Sequence, residues 1–288
     1  MVRTIPYHSV VEAVETLCIE ANHRLPSDVL RALQLAAAGE SNPRARQILE
    51  VLIENASIAS EQRVPLCQDT GLAVVFVEQG SQVVVASPPE MPELTVIDAI
   101  QDGVESGYRK GLLRKSVVAD PLYQRVNTGT NRPAIVHHLV TSGDRLRISV
   151  MAKGAGCENK SQFRVFNPTA QAQQVVDWIV QVALAAGADA CPPLIIGVGI
   201  GGNMESSCIL AKKALLRPLD SRNPHPFYAQ MEQQALSSIN ATGLGPQGMG
   251  GDTTALAVLV EFAPCHIASL PVAVNIECHS HRHASCVL

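Results

Sequence analysis

Apolar side chains recur at helical spacing through the first sixty residues of this chain, and from Gln62 onward the spacing changes. Val10–Ala21, Val29–Ala38 and Ile48–Ile58 predict three helices, separated by Pro26-Ser27-Asp28 and Ser41-Asn42-Pro43. LAVVFVEQG and SQVVVAS then stand either side of a glycine as β-branched runs, which predicts paired strands. Residues 91–111 return to a helical pattern that ends at Gly111. DPLYQRVNTGTNRPA is a long loop, and RLRISVMA alternates Leu146, Ile148 and Val150 on one face as a half-buried strand. Asn167-Pro168 predicts the start of a helix closed by Gly187. After it come the strand LIIGVGI, a helix from about Met204 to Leu216, and two apolar strands, TTALAVLVEFA and LPVAVNIEC. The expectation is a mixed α/β fold with an N-terminal helical segment and a mixed-sheet domain. It reads as a single domain over 1–288 with a possible helical subdomain over 1–60.

A net charge of −4 gives no footprint for nucleic acid, and one Trp, four Tyr and five Phe leave few rings for base stacking. The N-terminus carries acids and no uninterrupted apolar run, so it predicts no secretory signal. Charges interrupt every apolar stretch short of a membrane span. A cytoplasmic protein is expected, without nucleic-acid or membrane partners. Eight cysteines in 288 residues are then no disulfide framework.

Four polar stretches bearing Gly or Cys sit at the ends of predicted strands: VPLCQDTG, KGAGCENKS, ACPPLIIGVGIGGN and VNIECHSHRH. Such loops are where α/β folds collect catalytic groups. Gly197, Gly199 and Gly202 match a dinucleotide fingerprint. Their late position, and an Asp220 that follows the helix-ending Pro218, favour glycines that only let a turn and a strand pack closely. Cys67, Cys191 and Cys278 lie 124 and 87 residues apart, so spacing alone asserts no metal site. Cys18 and Cys208 fall in helical patterns as core residues, Cys286 falls in a tail expected to be unstructured, and Cys157 and Cys265 are ambiguous. His279, His281 and His283 alternate, which suits zinc, although a polar chain end is the simpler expectation.

At PLCQDTG, LRKSVVADPL, NTGTNRPA, KGAGCENKS, CPPLIIGVGIGGNMESS, GPQGMGGDTTAL and CHIASLPVAVNIECHSHRH the chain resembles the alpha subunit, or N-terminal region, of class I iron–sulfur fumarate hydratases and the related L-tartrate dehydratases. The resemblance implies a 4Fe–4S cluster held by Cys67, Cys191 and Cys278, with one iron left open. It implies substrate contacts from Gln68, Arg114, Lys153 and Gly154, proton transfer or orientation by Asp69, and a His266 near the substrate. Nothing resembles the family's C-terminal region, so a separate beta subunit is expected to supply the rest of the site, with homodimerisation of alpha (alpha2beta2). The expected reaction is hydration of a small dicarboxylate, fumarate to malate first, L-tartrate or a mesaconate-type substrate second. A non-catalytic metal-binding subunit and a nicotinamide-dependent dehydrogenase are the readings from other classes. Cys157, where relatives commonly have Ser, and Thr130 and Arg132, where Asp and Thr are common, depart from the pattern.

Overall fold

The computed structural model describes residues 2–288. Its helices are α1 (Tyr7–His23), α2 (Ser27–Gly39), α3 (Pro43–Gln62), α4 (Val96–Lys110), α5 (Ala155–Glu158), α6 (Ala172–Ala186), α7 (Met204–Ala214) and α8 (Pro226–Asn240). Its strands are β1 (Arg3–Pro6), β2 (Leu72–Gly80), β3 (Val83–Ala86), β4 (Ile135–Thr141), β5 (Leu146–Lys153), β6 (Gln162–Phe166), β7 (Leu194–Gly202), β8 (Ala255–Cys265), β9 (Leu270–Glu277) and β10 (His283–Val287). The fold is mixed α/β, and it divides into two compact units.

The first unit comprises the chain up to Pro26, Ile58–Ala155 and Arg282–Leu288. Its main sheet runs β10-β5-β2-β4, with β10 and β4 at the edges. Ala73, Val75 and Val77 of β2 alternate into the same core as Ile148 and Val150 of β5, under Val10, Val14 and Leu17 of α1 and Ile100, Val104 and Tyr108 of α4. Each such buried aliphatic side chain contributes about 1.5–3 kcal/mol. A capping box starts α4: Asp98 N–H donates to Thr95 Oγ1 and Thr95 N–H donates to Asp98 Oδ2. The two runs expected to pair with each other do not. Both edges of β2 are taken, by β4 in parallel and β5 antiparallel, and β3 pairs in parallel with β1 instead.

The second unit comprises Ser27–Ser57 and Gly156–His281. Its sheet runs β6-β9-β7-β8. Along β7 the faces divide by parity. Ile196, Val198 and Ile200 join a core with Val176, Ile179 and Val182 of α6 and Met231, Ala235 and Ile239 of α8. Gly197 and Gly199 face α7, where an added Cβ would lie 2.0 Å from the carbonyl oxygens of Ala211 and Ser207 respectively. The helix rests directly on the backbone of the strand. The expected start of α6 at Pro168 moves to Ala172, because Asn167 Oδ1 accepts from the backbone and hydroxyl of Thr169 and holds a turn there. Among the described residues no helix is long and apolar enough to cross a membrane.

Candidate active site

The CQDTG segment is a fixed turn at the mouth of β2. Leu66 N–H donates to the Asn22 carbonyl at 2.8 Å, which ties the turn to the end of α1. Tyr108, fully buried on α4, donates its hydroxyl to the carbonyls of Thr70 (2.8 Å) and Gly71 (3.0 Å). Burial pushes that phenol far above its ordinary pKa, so it remains a donor at any working pH. Thr70 Oγ1 donates to the Arg114 carbonyl at 2.8 Å, and Asn131 Nδ2 donates to the Gly71 carbonyl while its Oδ1 accepts from Ser116 N–H. The loop that carries Arg114 is therefore rooted on this turn by backbone contacts, and the Arg114 side chain is left exposed.

Within the turn, Asp69 is held by main-chain amides. Its Oδ1 accepts from Gly71 N–H at 3.0 Å and its Oδ2 from Ala155 N–H at 2.9 Å. Gly154 sits beneath it: a Cβ there would come within 3.3 Å of Asp69 Oδ2 and 3.0 Å of the Arg282 guanidinium. Arg282 is 2% exposed and donates through Nη1 to the Asp69 carbonyl oxygen. Lys153, equally buried, closes β5 opposite Leu72. Gln68 is exposed beside Asp69 and its Oε1 lies 3.4 Å from the half-buried Cys67 thiol. Gln68, Asp69, Lys153 and Gly154, four of the residues expected from sequence, thus lie around one turn of the first unit.

The second unit gathers a set of thiols at one end of its sheet. Cys191 is exposed in the left-handed region (φ 53°) between a 3₁₀ turn and β7. Its amide donates to Ala188 and its carbonyl accepts from His279 Nδ1 at 3.0 Å, an unusual conformation that its surroundings hold in place. Cys278 directly precedes His279 at the end of β9, so Cys191 and Cys278 stand at the same end of adjacent strands. Cys157 lies on α5 and reaches this end too. Its thiol donates to the Ala190 carbonyl at 3.5 Å, and its Sγ, Cys278 Sγ and a Glu277 carboxylate oxygen all lie within 4.8 Å of one another.

Other expectations fare differently. His266 is exposed in the loop that crosses from β8 to β9, on opposite sides of β7, with Nδ1 accepting from Ala268 N–H. At about 3.3 Å per residue the full length of β9 puts it roughly 25 Å from Cys278 of the same chain. Arg132 pairs with Asp102 (3.0 Å) and Glu105 (3.1 Å) of α4, a contact within the scaffold. Gly197 and Gly199 are spent on helix packing, as the simpler expectation had it. Two expectations at the C-terminus need correction. Cys286 lies within β10, opposite Ile148, because β5 has an open edge there. His281 and Arg282 are no polar chain end: both are fully buried, and His281 Nε2 donates to the Leu215 carbonyl at 2.6 Å. Sequence reasoning missed Arg282 and Glu277. An arginine between two histidines, four residues after Cys278 and directly before HASCV, was the available signal.

The family model for fumarate hydratase (Fumerase) matches residues 11–287. The chain is 38% identical over 279 residues to the "Putative L(+)-tartrate dehydratase subunit alpha" of Methanocaldococcus jannaschii, covering 96% of each chain. It is 31% identical over 282 residues to the L(+)-tartrate dehydratase subunit alpha of Escherichia coli UTI89, covering 96% of this chain and 90% of the relative. The same subunit of Escherichia coli K12 is 30% identical over the same length.

Proposed function

Since the chain belongs to the fumarate hydratase family, we propose that it is the alpha subunit of an iron–sulfur hydro-lyase that adds or removes water at a C4 dicarboxylate. The names of its relatives favour L(+)-tartrate as the substrate, and the description of the family favours the fumarate/malate pair. The observation that carries the reading is the Asp69 carboxylate, oriented by two amides over a glycine and standing two residues from Cys67.

A thiolate-held cluster suits the donors present. Cys67 and Cys191 are both accessible to some degree on loops, and Cys191 is constrained against the residue that follows Cys278. Cys67, Cys191 and Cys278 are assigned as the ligands of a 4Fe–4S cluster. When bound, it supplies one iron without a protein ligand, a Lewis acid for a hydroxyl and a carboxylate.

The chain's own residues then have separable tasks. Asp69 keeps one lone pair on each oxygen beyond its amide bonds, and so can hold or hand over a proton at a fixed direction. Gly154, lacking a Cβ, lets Asp69 and the Arg282 guanidinium pack closely against the backbone there. Arg114, exposed on a loop anchored to the turn by its carbonyl, would take a carboxylate through its planar fork, a bidentate geometry that a lysine lacks. Gln68 offers an amide for hydrogen bonding to a substrate oxygen, and Lys153 an amino group at the end of β5. A beta subunit, implied by the relatives' designation as alpha subunits, completes the site. If His266 serves the reaction, the length of β9 makes a second copy of this chain its source, consistent with an alpha homodimer.

The test is co-expression with the beta subunit under anaerobic conditions, followed by iron and sulfide analysis and assays on L(+)-tartrate, malate and fumarate. Roughly four irons and four sulfides per alpha chain, with turnover of at least one of these acids, are expected. A fully active preparation that contains no iron would overturn the proposal.

A further inference from the structure

Cys157, Glu277 and Cys278 come from two segments some 120 residues apart, and their ligand atoms already lie within 4.8 Å of one another. Tetrahedral zinc, with bonds of about 2.3 Å to sulfur and about 2.0–2.2 Å to oxygen, sets its donors about 3.5–3.8 Å apart. Closing onto an ion therefore asks for an inward shift of about 1 Å. The three residues are between 1% and 9% exposed, so water competes weakly for the ion.

The scaffold around them is stitched. Asn275 Nδ2 donates to Glu158 Oε2 at 3.1 Å and Ile276 N–H donates to Ser161 Oγ at 3.1 Å, which binds the segment after Cys157 to the strand that carries Glu277. Glu158 in turn is paired with Lys212 of α7. Glu277 Oε1 accepts from Cys278 N–H at 3.2 Å, and the Cys157 thiol is oriented by the Ala190 carbonyl. Ligands held in this way lose little freedom on binding. Two sulfurs and a carboxylate select a thiophilic divalent ion over magnesium or calcium, which take oxygen ligands.

We propose that Cys157, Glu277 and Cys278 form a mononuclear binding site for a thiophilic divalent metal ion of the zinc class. The site is separate in composition from Cys67, Cys191 and Cys278 and shares only Cys278 with that set. It does not depend on the hydro-lyase reading, but where a cluster is built the two compete for Cys278. A chain that has captured zinc is closed to cluster assembly, and a chain that holds a cluster has no zinc site.

The experiment uses the full chain, stripped of metal by a chelator without air and titrated with zinc against a chromophoric competitor. One zinc per chain is expected. Cys157→Ser should weaken binding about 100-fold and Glu277→Gln about 10-fold, while Cys67→Ser binds as the wild type does. Cobalt serves as the spectroscopic probe: thiolate-to-cobalt absorption should correspond to two thiolates and halve in Cys157→Ser. Two results would overturn the site. One is wild-type zinc affinity in both Cys157→Ser and Glu277→Gln, each shown to be folded by circular dichroism. The other is a loss in Cys67→Ser as large as that in Cys157→Ser, which would place zinc on the three-cysteine set. Failure of the wild-type chain to build a cluster from iron and sulfide, with zinc binding intact, would count against the hydro-lyase reading alone.

Discussion

Gly199→Ala separates two meanings of the same glycines. A methyl group at Gly199 would lie 2.0 Å from the Ser207 carbonyl oxygen, 2.6 Å from the Ala211 amide nitrogen and 2.9 Å from Leu210 Cβ. Real Cβ atoms do not approach below 3.0 Å, and two of these three neighbours are backbone, so no side-chain rotation relieves the clash. Helix α7 must retreat from β7 by about 1 Å, and a gap of that size forfeits a quarter to a half of each dispersion contact along the seam. The buried residues of α7 that lose packing are Ser207, Ala211 and Ala214. Overpacking of this kind costs about 1–3 kcal/mol, and the backbone clash places it at the upper end, about 3 kcal/mol. At 2–4 °C per kcal/mol the melting temperature should fall by about 6–12 °C. Gly39→Ala is the control: nothing lies within 4 Å of the added Cβ at the end of α2, and its effect should stay within about 1 kcal/mol. Calorimetry on the three proteins, with a nicotinamide dinucleotide titrated into each, provides the assay. A Gly199→Ala protein as stable as the wild type would refute the packing argument. So would saturable dinucleotide binding by the wild type that disappears in a folded Gly199→Ala protein.

Asp69→Asn removes one of the two acceptors that face Gly71 N–H and Ala155 N–H, and it removes the proton-carrying group. The expected result is a kcat at least about 100-fold lower in the complex with the beta subunit, with iron content unchanged; an unaltered kcat would exclude Asp69 from proton transfer. Glu15 accepts from Lys110 Nζ (2.8 Å) and Ser106 Oγ (2.5 Å), and these bonds hold its carboxyl below the ordinary glutamate pKa of 4.5. A carboxyl with a depressed folded pKa stabilises above its unfolded pKa, and the contribution is lost as pH falls through the folded value. Glu15→Gln should therefore cost about 1 kcal/mol in urea denaturation at pH 7, and the difference from wild type should shrink below pH 4.5; a difference constant across that window would contradict the assignment.

What the sequence made legible follows the range of the interactions that decide each feature. Helical periodicity over 10–21, alternation at Leu146, Ile148 and Val150, and the stop at Gly187 are local signals, and the structure places α1, β5 and the end of α6 accordingly. Pairing is not local. Two β-branched runs separated by a glycine looked like neighbours, but β2 lies between β4 and β5, which begin 55 residues or more further along the chain than its own end. Nothing in LAVVFVEQG states that its edges will be occupied. The same holds for HASCV, whose five residues become a strand only because β5 presents a free edge.

The candidate site divides along the same line. Asp69, Gly154 and the cysteines could be named because the motifs that carry them are compact, and each motif folds into one turn or one strand end. Arg282 could not, because its role lies in the 213-residue separation between it and the carbonyl of Asp69. A buried guanidinium must have acceptors, since desolvating it unpaired would cost several kcal/mol. Once β10 pairs with β5, Arg282 is carried to the one place where the turn offers a carbonyl and Gly154 offers room. His266 shows the converse. Motif position brings it close to Cys278 in sequence, only twelve residues away, and the extended conformation of β9 converts that proximity into distance. Sequence spacing measures separation in space only after the conformation between the two residues is known, and a strand, at more than twice the rise of a helix, is the conformation that separates them most.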